Sequence, residues 1–309
     1  MRGTVLSAVL TLAAAVGGTA SAQVLLDPAI KSSTQALTPP QREKVVELVS
    51  SQANRFADAD AAGIIVLRNQ IAVFLKDPTT KDPCRREYAA EFVRAFRKFT
   101  TEPGDMRLLR ATNVFIMARH APTADTVGML LDNADPGAQQ DTAVRVSAAS
   151  QLPLAMRAGQ FAGPQADATA KRLAAILKSE TDWIAAAHDV EAIIEALRTK
   201  TLAPAQAESI ALVLGGAVND LTSRMLDGQP ALVNSLQRAL LGIRNQTADV
   251  AATARAKLFA TIGPSIDKLA AMKGKPPAAF QDAEKKPIPA FESVVNTADL
   301  LRQVRATTK

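Results

Sequence analysis

Apolar residues recur along this chain at intervals of three and four positions, which is the period of an amphipathic α-helix. The clearest case is an aromatic stripe at i, i+4, i+8 and i+11, formed by Tyr88, Phe92, Phe96 and Phe99. The alternation of apolar and polar residues that marks half-buried strands is absent. The pattern therefore predicts an all-α protein, and it predicts that the aromatic stripe is core and not a ligand platform.

Proline, glycine and capping residues divide the chain into about a dozen helices joined by short connections. Thr38 caps the first of them, with Pro39-Pro40 in its first turn. The others are predicted at 60–76, from 82 through the aromatic stripe, and at 105–119, 123–134, 139–156, 165–178, 182–199, 204–226, 230–244 and 248–272. Breaks or bends are expected at Pro153 and at Gly263-Pro264. Short connections between successive helices predict antiparallel helical hairpins.

The chain changes character after residue 272. Residues 273–289 are rich in lysine and proline and predict an extended linker, which separates a helical body (23–272) from a C-terminal amphipathic helix (290–309). An exposed apolar stripe is a liability, so we expect this helix to pack back near Leu258 and Ile262 as a terminal cap. The alternatives are binding to a partner or to a membrane surface, although the helix lacks the lysine-rich polar face typical of the latter.

The first 22 residues have the pattern of a secretory signal peptide. Arg2 precedes the apolar run Val5–Val16, and Ala20-Ser21-Ala22 forms a small-x-small cleavage site. No later stretch has the length of about 20 uncharged apolar residues that a membrane span requires. We therefore expect a secreted or periplasmic protein with no integral span after cleavage, a setting that disfavours ATP- and NAD-dependent chemistry.

Composition and charge narrow the function classes further. Aromatic residues make up 4% of the chain, too few for a β-sandwich or barrel, and the formal net charge is +6. This mild basic excess suits a protein partner or an anionic envelope polymer and is too weak to make nucleic acid the expected partner. Cys84 is the only cysteine and His120 and His188 are the only histidines, so no intrachain disulfide is possible and we expect neither a metal nor a cofactor.

The densest basic patch is the candidate binding site and lies beside the aromatic stripe. Its members are Arg85, Arg86, Arg94, Arg97 and Lys98. One interpretation is a cationic face for an anionic polymer or an acidic partner surface. The other is an ordinary solvated helix face whose charges are balanced by Glu87 and Glu91.

One motif occurs twice between Leu75 and Ala158. Asp-Pro is followed nine or ten residues later by arginine and then by two alanines: Asp77-Pro78, Arg86 and Ala89-Ala90, and Asp135-Pro136, Arg145 and Ala148-Ala149. The motif resembles that of HEAT-like repeat proteins. The resemblance implies an irregular α-solenoid, in which Arg86 and Arg145 are equivalent and each pairs with an acidic or carbonyl group at a turn.

The sequence as a whole predicts a non-enzymatic binding or scaffolding protein of the cell envelope. The alternative is an envelope enzyme with a site assembled from scattered residues, for which Glu87, His120 and His188 are the titratable candidates. A concave pocket that joins a histidine to a carboxylate would favour the enzyme, whereas histidines on separate exposed helices would disfavour it.

Overall fold

The computed structural model describes residues 25–159 and 161–307, so the predicted signal peptide lies outside the described residues. These residues form thirteen α-helices, three short 3-10 helices and no strand, which confirms the all-α prediction. The α-helices are α1 (Pro28–Lys31), α2 (Pro39–Asp58), α3 (Ala61–Lys76), α4 (Asp82–Phe96), α5 (Arg107–Ala118), α6 (Ala124–Ala134), α7 (Thr142–Ala158), α8 (Gly163–Ser179), α9 (Trp183–Leu197), α10 (Pro204–Leu226), α11 (Val233–Gln246), α12 (Ala252–Ala270) and α13 (Pro289–Thr307).

Capping side chains and prolines fix where the helices begin. The Asp182 carboxylate accepts hydrogen bonds from the backbone N–H groups of Ile184 at 2.8 Å and Ala185 at 3.1 Å, and so caps α9. Proline occupies the first turn of α2, α4, α8 and α10. Neither helix ends at its internal proline, because α7 continues through Pro153 and α12 continues through Pro264.

From α2 onwards, each helix contacts the helix two positions further along the chain. Contacts join α2, α4, α6, α8, α10 and α12 in that order, and they join α3, α5, α7, α9, α11 and α13 in the same way. Consecutive helices also touch, among them α6 with α7 and α8 with α9. Buried apolar residues from Ile30 to Leu301 form one continuous cluster, so the described helices share a single core.

The aromatic stripe lies in this core, as predicted, because all four of its rings are buried. Phe56 of α2 packs against Phe96 and Phe99, with ring centroids 5.4 and 5.0 Å apart. The Tyr88 hydroxyl donates a hydrogen bond to Gln52 Oε1 at 2.6 Å, which satisfies its buried polar end. The stripe therefore joins α4 to α2.

The C-terminal helix packs against α12, as expected, and also against α11. The segment before it contains a short 3-10 helix, Ala278–Phe280. Phe280 from this helix is buried and stacks on Phe291 of α13 with 4.5 Å between ring centroids. Arg305 donates to both carboxylate oxygens of Asp267 at 2.8 Å. Aromatic and ionic contacts thus hold α13 on the body.

The predicted equivalence of Arg86 and Arg145 is wrong. Arg145 is buried; its guanidinium donates to Glu180 at 2.9 and 3.2 Å and to the carbonyl of Gln139 at 3.2 Å. Arg86 is exposed and has no hydrogen bond or ion pair within the described residues. Arg85 is the counterpart of Arg145, because each is the fourth residue of its helix.

Arginine occupies the fourth position of five helices and donates to a backbone carbonyl each time: in four of them the carbonyl belongs to the segment just before the helix, and in α5 it belongs to the last turn of α2. The pairs are Arg42 with Leu37 at 3.2 Å, Arg85 with Asp77 at 3.0 Å, Arg110 with Ala57 at 2.8 Å, Arg145 with Gln139 at 3.2 Å and Arg255 with Ala248 at 3.2 Å. A guanidinium is well suited to this contact because its donors form a rigid fork and stay charged. The feature that recurs along the chain is therefore an arginine at the fourth position of a helix.

Candidate functional site

Two adjoining cavities line the side of the molecule where the predicted basic patch lies. The first, of about 850 Å³, lies where α3, α5 and α7 end and where α4, α6 and α8 begin, and we call it the His120 cavity. The second, of about 540 Å³, lies between α4, α6 and α8, and we call it the Asp132 cavity. Ala124 and Asp125 line both cavities. We refer to the two adjoining cavities together as the basic groove.

The structure brings four of the five predicted binding residues to this groove. Arg85 and Arg86 line the His120 cavity, and Arg94 and Arg97 line the Asp132 cavity. Lys98 lines neither cavity, and its ammonium group lies 4.9 Å from the ring centroid of Phe99. The patch is therefore divided into two pairs, each with its own set of neighbours.

In the Asp132 cavity every cation has a carboxylate partner. Arg97 and Arg172 share Asp132, at N–O distances of 3.0 and 2.5 Å. Arg94 forms an ion pair with Glu91 at 2.6 Å. Because one carboxylate serves two guanidinium groups, the shared cluster keeps a positive charge, and it links α6 to α8 and to the end of α4.

The His120 cavity contains cations that lack such partners. Lys76 and Arg86 line it, and neither forms a hydrogen bond or an ion pair within the described residues. Arg119 donates to Gln151 Oε1 at 2.9 Å, a neutral acceptor. Arg85 is committed to the Asp77 carbonyl and lies 3.9 Å from Asp82. The uncompensated positive charge of the groove is therefore concentrated in this cavity.

His120 is half-buried in the same cavity and is neutral at pH 7. Burial and, to smaller and decreasing extents, the nearby cations Lys76, Arg119 and Arg68 together lower the pKa of its imidazole to about 4. The guanidinium of Arg119 donates to His120 Nε2 at 3.4 Å, so the ring proton is assigned to Nδ1. His120 can therefore offer its Nδ1–H as a hydrogen-bond donor.

The structure does not bring the three candidate catalytic residues together. Glu87 lies 3.6 Å from Arg42, and His188 contacts Glu191 at 3.0 Å on α9. His120 does share its cavity with two carboxylates, those of Asp82 and Asp125. Cys84 is buried, which raises the pKa of its thiol to about 11, so the thiol stays protonated at neutral pH.

Sequence analysis missed Lys76, Arg119 and Arg172, which complete the charge of the groove. The first two lie at the ends of α3 and α5, where basic residues are common because they interact favourably with the C-terminal end of the helix. Their positions at helix ends that precede short connections were the available signal. What the sequence lacks is any indication that these ends lie side by side.

Within residues 25–159 and 161–307, no group of three His, Cys, Asp or Glu side chains is arranged to hold a metal ion. None of the helices in those ranges has the length and apolar character needed to cross a membrane. The chain matches no protein-family model, no curated protein and no solved structure. What the groove can bind follows from its own residues: it presents cationic and neutral donors and is suited to an anion.

Proposed function

We propose that this chain is an exported, non-enzymatic binding or scaffolding protein of the cell envelope and that its basic groove holds an anionic envelope polymer. One observation carries the proposal. Cationic side chains outnumber carboxylates in the lining of both cavities, and the two cavities share Ala124 and Asp125 as lining residues. A cationic groove attracts an extended anion and raises its local concentration. Export rests on the predicted signal peptide.

The proposed framework is an irregular HEAT-like α-solenoid built from antiparallel helical hairpins. The packing of each helix against the helix two positions further along supports it, because stacked hairpins produce that order of contacts. The arginine at the fourth position of five helices supports it as a repeated feature. In a stack of this kind, successive hairpin loops lie along one edge. The cations of the His120 cavity lie at or near such loops.

The proposal is tested by binding to a labelled linear polyglycerol phosphate, measured by fluorescence anisotropy at several salt concentrations. The double variant Arg86→Gln/Arg97→Gln removes one cation from each cavity. We expect it to weaken binding about tenfold, because two partly desolvated charge contacts are lost. We also expect the wild-type affinity to fall as salt rises, since salt screens exposed charges.

Arg244→Gln is the matched control, because Arg244 is an exposed arginine of α11 outside both cavities. We expect this variant to bind as the wild type does. Equal affinities of the wild type and the double variant would contradict the proposal. Capture of an acidic protein in place of the polymer, lost in the same double variant, would assign the groove to a protein partner.

The alternative, an envelope enzyme, has one supporting observation: the cavity joins His120 to Asp82 and Asp125. It makes a separable prediction, since an enzyme would change the polymer and a binding protein would leave it intact. Gel electrophoresis of the polymer after incubation with the protein measures this. We expect unchanged chain length; shortening that is lost in His120→Gln would favour the enzyme.

A further inference from the structure

The two cavities of the basic groove differ in how much of their charge is free. Arg94, Arg97 and Arg172 are paired with Glu91 or Asp132. In the His120 cavity, by contrast, Lys76 and Arg86 have no polar partner within the described part of the chain. A bound anion gains most from cations that need not first give up an existing partner. The His120 cavity is therefore where a compact anionic group would bind most tightly.

The donors of this cavity come from several elements. Lys76 is the last residue of α3, Arg86 lies in the second turn of α4, and Arg119 and His120 directly follow α5. A planar carboxylate can be satisfied by one arginine in a bidentate contact, whereas an esterified phosphate is tetrahedral, presents two or three non-bridging oxygens that do not share one plane with its ester oxygens, and takes donors from several directions. Donors from three elements therefore fit a phosphate group better than a carboxylate.

The volume of the cavity indicates that the phosphate group belongs to a larger ligand. About 850 Å³ exceeds what a phosphate ion needs and lies in the range typical of small-molecule sites. Apolar side chains, among them Leu75, Pro122 and Phe161, form part of the lining. The cavity thus has room for a phosphate together with the unit to which it is esterified.

We infer that the His120 cavity is a subsite for a phosphate ester group, held by Lys76, Arg86, Arg119 and the Nδ1–H of His120. The inference rests on the proposed function and adds to it the chemical class of the recognised group. The Asp132 cavity then contacts the remainder of the ligand. Asp82 and Asp125 also line the subsite and disfavour a second anionic group beside the first.

The pKa of His120 can show whether an anion occupies the His120 cavity, because the charged groups around its imidazole are known. Lys76 and Arg68 of α3 and Arg119 lower the pKa of its imidazole, and Asp82 and Asp125 lie in the same cavity. A phosphate bound among these groups adds negative charge, which favours the imidazolium and raises that pKa. The chain has two histidines, and His188, paired with Glu191 on α9, serves as an internal reference.

The test is a pH titration of both imidazoles by NMR in the full chain, with chloride replaced by inorganic phosphate at constant ionic strength. Constant ionic strength matters because screening of the three cations would by itself raise the pKa of His120. We expect phosphate to raise the pKa of His120 by about one unit and to leave that of His188 unchanged. Polyglycerol phosphate should raise the pKa of His120 as well, whereas trifluoroacetate, a carboxylate that stays ionised at pH 4, should not.

Two variants separate the subsite from the rest of the groove. Lys76→Gln/Arg86→Gln should abolish the response of His120 to phosphate, whereas Arg97→Gln, in the other cavity, should retain it. An unmoved His120, or equal shifts of both histidines, would overturn the inference. If His120 stays unmoved while polymer binding still depends on Arg97, the subsite is wrong and the proposed function stands. If phosphate moves His120 but no polymer binds, the subsite stands and the proposed function is wrong.

Discussion

At the scale of single residues, the position of a charge within its helix decides its role. Arg85 and Arg86 are adjacent in the sequence, yet Arg85 is held by the Asp77 carbonyl and Arg86 is free to meet a ligand. The sequence analysis assigned the inward-facing role to Arg86, which is wrong, because Arg85 is the residue that contacts the turn. Which of the two contacts the turn depends on where α4 begins, because Arg85 is its fourth residue. A shift of one position turns a side chain by about 100° around a helix.

Outside the groove, Asp189 is a buried carboxylate that lacks hydrogen-bond partners within the described part of the chain. Its carboxylate is fully buried in α9, and neither oxygen has a hydrogen-bond partner in the described residues. Burial raises the pKa of this group well above its ordinary value, and the charges of Glu180 and Asp135 raise it further. The folded state therefore holds this proton more tightly than the unfolded state does. The associated stability is present below the unfolded pKa of about 3.9 and is lost as the pH rises towards the folded pKa.

Asp189→Asn should therefore stabilise the protein at neutral pH, because the amide has nearly the same shape and cannot ionise. We expect a gain on the order of 1–3 kcal/mol in the free energy of unfolding. The gain should shrink towards pH 4, because the carboxyl of Asp189 is then protonated in the folded state and about half protonated in the unfolded state. Urea denaturation between pH 4 and 8 measures it. The exposed Asp249→Asn is the control and should have little effect; a loss of stability in Asp189→Asn at pH 8 would show that the carboxylate is paired.

At the scale of elements, local signals predicted helix positions well and helix continuity poorly. The predicted helix 204–226 matches α10, and Thr123 and Asp182 cap α6 and α9 as expected. A break or a bend was expected at Gly263-Pro264, and the break is absent because α12 continues through Pro264. The lost hydrogen bond is local, whereas α12 packs against both α10 and α13. Tertiary contacts that outweigh a local cost cannot be read from the sequence around the proline.

The C-terminal helix provides the test at this scale. A chain ending at Lys273 lacks both Phe280 and Phe291, which are buried and stacked, and it uncovers apolar residues of α12. We expect a lower melting temperature and self-association, because the exposed surface faces water. Calorimetry and size-exclusion chromatography measure these effects. A truncated protein that stays monomeric with an unchanged melting temperature would contradict the role of α13 as a cap and favour a partner-binding role.

At the scale of the whole molecule, the groove exists because helix ends from distant parts of the chain are brought side by side. Lys76 and Arg119 are 43 positions apart in the sequence, and Arg172 follows 53 positions later. Sequence analysis found the basic patch on α4 because those residues are close in the chain. It missed the residues supplied by α3, α5 and α8, since no local pattern encodes which helix ends meet.

The most direct test of the central claim is to locate the bound polymer by amide hydrogen exchange of the full chain with and without polyglycerol phosphate. We expect added protection at the starts of α4, α6 and α8 and at the connections that precede them, because these segments line the basic groove. Exchange in α10 and α11, which line neither cavity, should stay unchanged. Protection confined to α10 and α11, or no protection at saturating polymer, would contradict the assignment of the groove as the binding site.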